Sequence, residues 1–185
     1  MTISALVDAG QPWRRTALGD NLVYTDWKKE NFYRAISEAL GDTKKGKIGI
    51  EEDHVTLQSR QKLGKMLDVQ SFQDVGEMTM EMRMVKSLEE QNLYRKTARI
   101  ADLGGFAVRD VIKEGVPEYQ IALYGTEAMT REIARSFPDQ EIRDIWIWLQ
   151  SGINTDGAHN PLTTRKLQNG DILSLNCFPM VQGKF

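Results

Sequence analysis

The chemistry-bearing residues concentrate between Arg143 and Met180, in RDIWIWLQSGINTDGAHNPLTTRKLQNGDILSLNCFPM. His159, one of two histidines in the chain, lies in the Gly/Asn-rich loop SGINTDGAHNP. An imidazole with a reference pKa of roughly 6.5 can take a proton from water and return it to a leaving group. The residues alone leave His159 open to that role or to a structural, hydrogen-bonded one. Cys177 could be a thiol ligand or nucleophile, but within an apolar strand it reads as a small buried hydrophobe. Glu51, Glu52, Asp53 and His54 could bind a cation, yet consecutive residues cannot all face one point from a strand end, so they read as a solvated turn.

The elements that must position His159 follow from local pattern. Ile145, Trp146, Ile147, Trp148 and Leu149 form a short aromatic and β-branched run that predicts a buried strand. Ser151-Gly152 breaks it. Gly152, Asn154, Asp156, Gly157 and Asn160 tolerate tightly turned backbone and let the loop aim one side chain inward. Pro161 holds Asn160 extended, and Asn169-Gly170-Asp171 marks a tight turn into a second strand, Ile172 to Met180.

Composition sets the outer bounds. The 185 residues carry 27% charged and 41% hydrophobic side chains, an ordinary globular mixture that suffices for one or two cored domains. Net charge is -2, which provides no electrostatic footprint for nucleic acid or an anionic membrane surface. One cysteine cannot form an internal disulfide, in keeping with a reducing cytoplasm. No apolar run approaches the roughly 20 residues of a membrane span, and Met1 to Gly10 lacks signal-peptide character. The expected localisation is cytoplasmic.

Strands are predicted at Ile3 to Val7, Leu22 to Thr25 and Lys47 to Glu51. A helix carrying Phe32, Ile36, Ala39 and Leu40 on one face ends at Gly41. Thr56 is an N-cap for a helix to about Met66. Alternating strands and helices imply an α/β layer. Met78, Met80, Met82 and Met84 alternate as in a strand, while Val75, Met78, Met82 and Val85 fit a helix, so periodicity leaves both open. Ser87 to Glu90 is a capping box that opens a new domain. The amphipathic pattern from Ser87 to about Lys113 is interrupted by Gly104-Gly105, which cost helix stability or admit a close neighbour. Gly115 stops that helix, and Pro117 begins another with Ile121, Met129 and Ile133, to about Ser136.

The segment SGINTDGAHNP, followed by TTRK and GDILSLNCFPM, resembles the creatinases, creatine amidinohydrolases of the pita-bread superfamily. GQPWRR at Gly10 to Arg15, VYTDW at Val23 to Trp27, ARIADLGG at Ala98 to Gly105 and VPEYQIAL at Val116 to Leu123 are similar to creatinases in the same order. The resemblance covers nearly the whole chain. SGxN followed by histidine belongs to the wider superfamily, whereas TDGAHNP is much narrower. The implied fold class is α/β (α+β). Residues 1–85 would be part of an amino-terminal creatinase-type α/β domain, and 86–185 the first half of a pita-bread catalytic domain. The family favours a helix at the methionine run.

The resemblance implies hydrolysis of creatine to sarcosine and urea in a homodimer, with no cofactor, no metal, and His159 as the proton-transfer residue. Metal-dependent relatives carry a ligating aspartate on the strand after GD. Here Asn176 stands at that point, and a neutral amide is a poor substitute for a carboxylate. Trp13, Arg14 and Arg15 would lie in the domain that reaches over the partner's site in creatinase-like dimers, in an interface or packing role. The family pattern has tyrosines just after Gly183. Phe185 lacks that hydroxyl, which puts a substrate contact there in doubt. The carboxylate and arginine that grip creatine fall outside the chain, so it reads as an internal fragment, inactive alone and prone to associate through an unpaired sheet edge. Rival readings are another pita-bread hydrolase, an ectoine hydrolase or a metal-dependent aminopeptidase P or prolidase, and a non-catalytic truncated chain.

Overall fold

The structure is a computed structural model that describes residues 1–10, 19–41, 46–157 and 159–182. Trp13, Arg14, Arg15 and Phe185 therefore lie outside the described residues. The chain divides into two compact units, Met1–Lys86 and Ser87–Phe185.

In the first unit, β1 (Thr2–Ala5) pairs in parallel with β2 (Asn21–Tyr24). The strand expected to reach Val7 stops at Ala5, and Leu6–Asp8 turns as a short 3-10 helix. Helix α1 (Lys29–Leu40) buries Tyr33 and Ala35, while Phe32 and Leu40 remain exposed. The predicted apolar face is thus rotated. Only Ile36 of that set packs with Tyr33 against Leu63, Leu67 and Phe72, while Phe32 stays at the surface on the Tyr24 and Tyr33 rings.

Strand β3 (Gly46–Ile50), helix α2 (Leu57–Met66) and strand β4 (Val69–Asp74) form a parallel β-α-β unit. Thr56 caps α2 by accepting from the Ser59 amide at 3.2 Å. Strand β4 has no counterpart in the sequence reading, because its Val-Gln-Ser-Phe-Gln-Asp stretch offers few apolar positions to a pattern search. The methionine run is helical: α3 (Gly76–Met84) leaves Met78, Met80, Met82 and Met84 exposed.

The second unit opens with α4 (Leu88–Val111), whose capping box is formed as expected, with the Glu90 amide donating to Ser87 Oγ and the Ser87 amide to Glu90 Oε2. Helix α5 (Glu118–Ser136) follows, then β5 (Trp146–Ser151) antiparallel to β6 (Leu173–Phe178). Ile121, Met129, Ile133 and Leu149 are 0% exposed and form the core with Ile100, Val108 and Ile147. Each such side chain contributes about 1.5–3 kcal/mol through burial.

Gly104-Gly105 do not break α4. A Cβ on Gly104 would meet Met129 Cγ at 2.7 Å, and one on Gly125 of α5 would meet Val108 Cγ2 at 2.7 Å and the Gly104 carbonyl oxygen at 2.9 Å, besides colliding with Ile147. These glycines let α4, α5 and β5 approach closely. Gly105 has open space around it. Gly125→Ala is expected to lower stability by about 1–3 kcal/mol through overpacking, and Gly105→Ala to raise it by up to about 1 kcal/mol through helix propensity. Urea unfolding curves measure both.

Candidate active site

Strand alternation sends Ile147 and Leu149 to the helices and Trp146, Trp148 and Gln150 to the opposite face. The register places Phe178 opposite Trp146, Asn176 opposite Trp148 and Ser174 opposite Gln150. On this second face the Trp146 and Phe178 rings stack with centroids 5.2 Å apart, and Trp148 meets Phe178 edge-on at 5.3 Å. His159 is exposed rather than aimed inward as the loop composition predicts, and its ring lies 4.6 Å from that of Trp148, tilted by 50°. The structure therefore brings together His159, Trp148 and the strand position of Asn176. Cys177 points the other way, half-buried against the helix core, where burial, aided by the Asp102 charge, pushes its thiol up. That environment is one of an inert thiol rather than a nucleophile.

The loop is held from beneath by a carboxylate. Glu118, the first residue of α5, is fully buried. Its Oε1 accepts from the Ser151 amide and Ser151 Oγ, each at 2.7 Å, and from Asn154 Nδ2 at 3.0 Å. Its Oε2 accepts from the Thr163 amide at 3.1 Å and from the Thr163 hydroxyl. One side chain thus ties the start of α5 to the end of β5, to the 3-10 turn Gly152–Asp156 and to the segment after His159. The first amides of α5, which have no partner within the helix, are satisfied by the same segment: Glu118 donates to the Arg165 carbonyl at 3.0 Å and Tyr119 to that of Thr163 at 3.3 Å. Burial pushes the Glu118 carboxyl up, but the hydrogen bonds from Ser151, Thr163 and Asn154 outweigh it and leave the group below its ordinary value.

A second ionic contact closes the far side. Arg165 grips Asp171 with two parallel bonds, Nη1 to Oδ2 at 2.6 Å and Nη2 to Oδ1 at 2.8 Å, and Nη1 also donates to Ser151 Oγ at 2.7 Å. The Arg165 hydrogen bond, with help from the Gln168 amide, holds the Asp171 carboxyl below its ordinary value. Gly152, at φ 50°, passes so close to this pair that a Cβ there would collide with Asp171 and come within 2.6 Å of Arg165 Nη2. The Ser151-Gly152 break is therefore required by crowding as well as by backbone angle.

The acidic cluster forms no such focus. Glu51 accepts from Thr79 at 2.6 Å and from Arg83 at 3.1 Å, while Asp53 and His54 pair at 3.0 Å on the surface. Among the described residues no group of His, Cys, Asp or Glu is gathered to hold a metal ion. Glu118 was missed in the sequence because its partners lie 33 to 45 residues along the chain, and Arg165, Asp171 and Gln150 because their pairing depends on the path of the loop rather than on a spacing within one element. The available signal was a glutamate at the first turn of a helix directly after Pro117, where the helix dipole favours a carboxylate.

With this geometry in hand, comparison with known proteins defines the class. Residues 5–85 match the Creatinase/Prolidase N-terminal domain. The fold is that of the pita-bread prolidases over the region present. A prolidase from Pyrococcus horikoshii OT3 superposes with a TM-score of 0.70 at 19% identity, over 95% of this chain and 46% of that one. An X-Pro aminopeptidase from Thermotoga maritima MSB8 gives 0.69 at 17% identity, over 95% and 47% respectively. In sequence the chain is 56% identical to a creatinase from Bacillus sp. strain B-0618, over all of this chain and 45% of that protein. Residues 5–85 thus carry the Creatinase/Prolidase N-terminal domain, and the chain as a whole is similar to a creatinase, of which it spans somewhat under half the length. Among the described residues no helix is long and apolar enough to cross a membrane.

The Glu118 network has a defined pH dependence. A carboxyl held lower in the folded than in the unfolded state contributes stability that is complete above its unfolded value, about 4.3 for glutamate, and is lost as pH falls through the folded value. Glu118 and Asp171 both have that sign. Glu118→Gln is expected to lower stability at pH 7 by on the order of 3 kcal/mol, since an amide turns donors toward donors. It should also flatten the loss of stability below about pH 4.3. Urea unfolding as a function of pH reads both effects.

Proposed function

We propose that the complete protein of which this chain forms part hydrolyses creatine to sarcosine and urea, with His159 transferring the proton. The observation that carries this reading is an exposed imidazole on the aromatic face of β5 and β6, in a chain that is 56% identical throughout to a creatinase. The His159 ring takes a proton from water as the water oxygen bonds to the guanidinium carbon. It then gives that proton to the sarcosine nitrogen as the carbon–nitrogen bond breaks, leaving urea. The balance is one creatine and one water consumed, one sarcosine and one urea formed.

Asn176 supports a reaction without a metal ion. It lies opposite Trp148, on the same sheet face as the histidine, where a carboxylate would serve a cation and an amide serves it poorly. The competing reading, a metal-dependent prolidase or aminopeptidase, draws on the fold shared with those enzymes. A neutral side chain at 176 argues against it. A homodimer in a reducing cytoplasm completes the proposal: the family resemblance supports the dimer, and a lone cysteine the compartment.

His159→Ala in the complete enzyme is expected to lower the turnover of urea release by at least about a hundredfold, in the range of lost general acid–base catalysis. Folding of the variant is checked by its unfolding midpoint. Turnover near that of the unaltered enzyme would remove the histidine from the mechanism. Undiminished activity after exhaustive chelation is the expected companion result, and its loss would favour the peptidase reading.

A further inference from the structure

A buried amide lies under the histidine loop, and neither the Glu118 network nor the proton transfer uses it. Gln150 is 0% exposed and follows Trp148 by two residues on the same face of β5. Its Nε2 donates to the carbonyl oxygen of Asn160 at 2.6 Å. Asn160 is the residue directly after His159. Its own Nδ2 donates back into the loop, to the Asn154 carbonyl at 3.0 Å and to Asp156 Oδ1 at 2.7 Å.

The other end of the Gln150 amide is the informative one. Oε1 is buried and has no hydrogen-bond partner among the described residues. An unpaired acceptor in the interior costs free energy that an apolar side chain of the same length would not. The Asn160 carbonyl belongs to a half-buried residue and can turn to water if Gln150 is removed. On stability alone, then, methionine would serve this position about as well. What glutamine adds is a fixed attachment for the backbone next to His159.

We infer that Gln150 is a positioning residue for His159, one that sets how far the histidine loop stands off the sheet. The loop is then held on both sides of the imidazole. Trp148 contacts the ring itself, and Gln150 fixes the peptide that follows it. This inference rests on the proposed role of His159. A proton-transfer group displaced by about 1 Å loses on the order of a hundredfold in rate, while a substrate gripped by other residues binds almost as before.

The test uses the complete enzyme carrying Gln150→Met, with urea release, thermal unfolding and the imidazole proton resonances of His159 as readouts, the last assigned by their disappearance in His159→Ala. Expected are a fall in kcat of about tenfold to a hundredfold, a KM changed by less than about threefold, a Tm within about 3 °C of the parent and shifted or broadened His159 resonances. Gln150→Asn, which keeps the amide but shortens its reach, should behave the same way and stands in if the methionine variant fails to fold. Unchanged kcat with unmoved resonances overturns the inference. So does a loss of kcat accompanied by an equal loss of Tm, which would mark a structural role only. Full turnover in His159→Ala would overturn the proposed mechanism instead, while movement of the ring resonances in Gln150→Met would still report the positioning.

Discussion

The Glu118 carboxylate is the constraint around which the second unit is arranged. A buried charge is tolerable only when its lone pairs are filled, and here the donors come from the end of β5, the 3-10 turn and the segment after the histidine. Because those donors lie from 33 to 45 residues away in sequence, a single side chain fixes where the loop leaves the sheet and where it returns. Arg165 and Asp171 extend the same network through Ser151 Oγ, so the loop ends behave as one hydrogen-bonded body. His159 is carried on that body at the surface, with its ring against Trp148.

The close helix packing serves the same end. Gly104 and Gly125 bring α4 and α5 together and let Ile147 of β5 seat against α5. The strand is thereby pinned by one face, and alternation presents Trp148 and Gln150 on the other. The aromatic surface of Trp146, Trp148 and Phe178 gives the imidazole an apolar neighbour on one side and solvent on the other. Such a setting suits the proton transfer proposed for His159. A neutral Asn176 occupies the strand position opposite Trp148 on the same face, and the proposed metal-free chemistry rests on that amide.

Local signals in the sequence were sufficient for elements whose cause is local. The Ser87 capping box, the Thr56 cap, the strand of alternating tryptophans and the turn at Gly170 all depend on residues a few positions apart, and the structure has them. The histidine loop was legible for the same reason, since Gly152 and Pro161 bracket it. What escaped was set by tertiary contact. Strand β4 is formed by pairing with β3 rather than by its own composition, and the face of α1 is chosen by Leu63 and Phe72 rather than by its spacing. Glu118 reads as an ordinary polar residue until distant segments are folded onto it, and Gln150, Arg165 and Asp171 do so until the loop turns back on itself.

The proposed chemistry requires His159 to address the guanidinium of creatine directly. A crystal structure of the complete protein with creatine bound measures it. The proposed mechanism places an imidazole nitrogen of His159 within hydrogen-bond reach, about 2.6–3.2 Å, of a water or of the nitrogen that departs with sarcosine. It also predicts Asn176 with no cation beside it. Creatine bound away from His159, or an ion coordinated between the strands with His159 among its ligands, would contradict it.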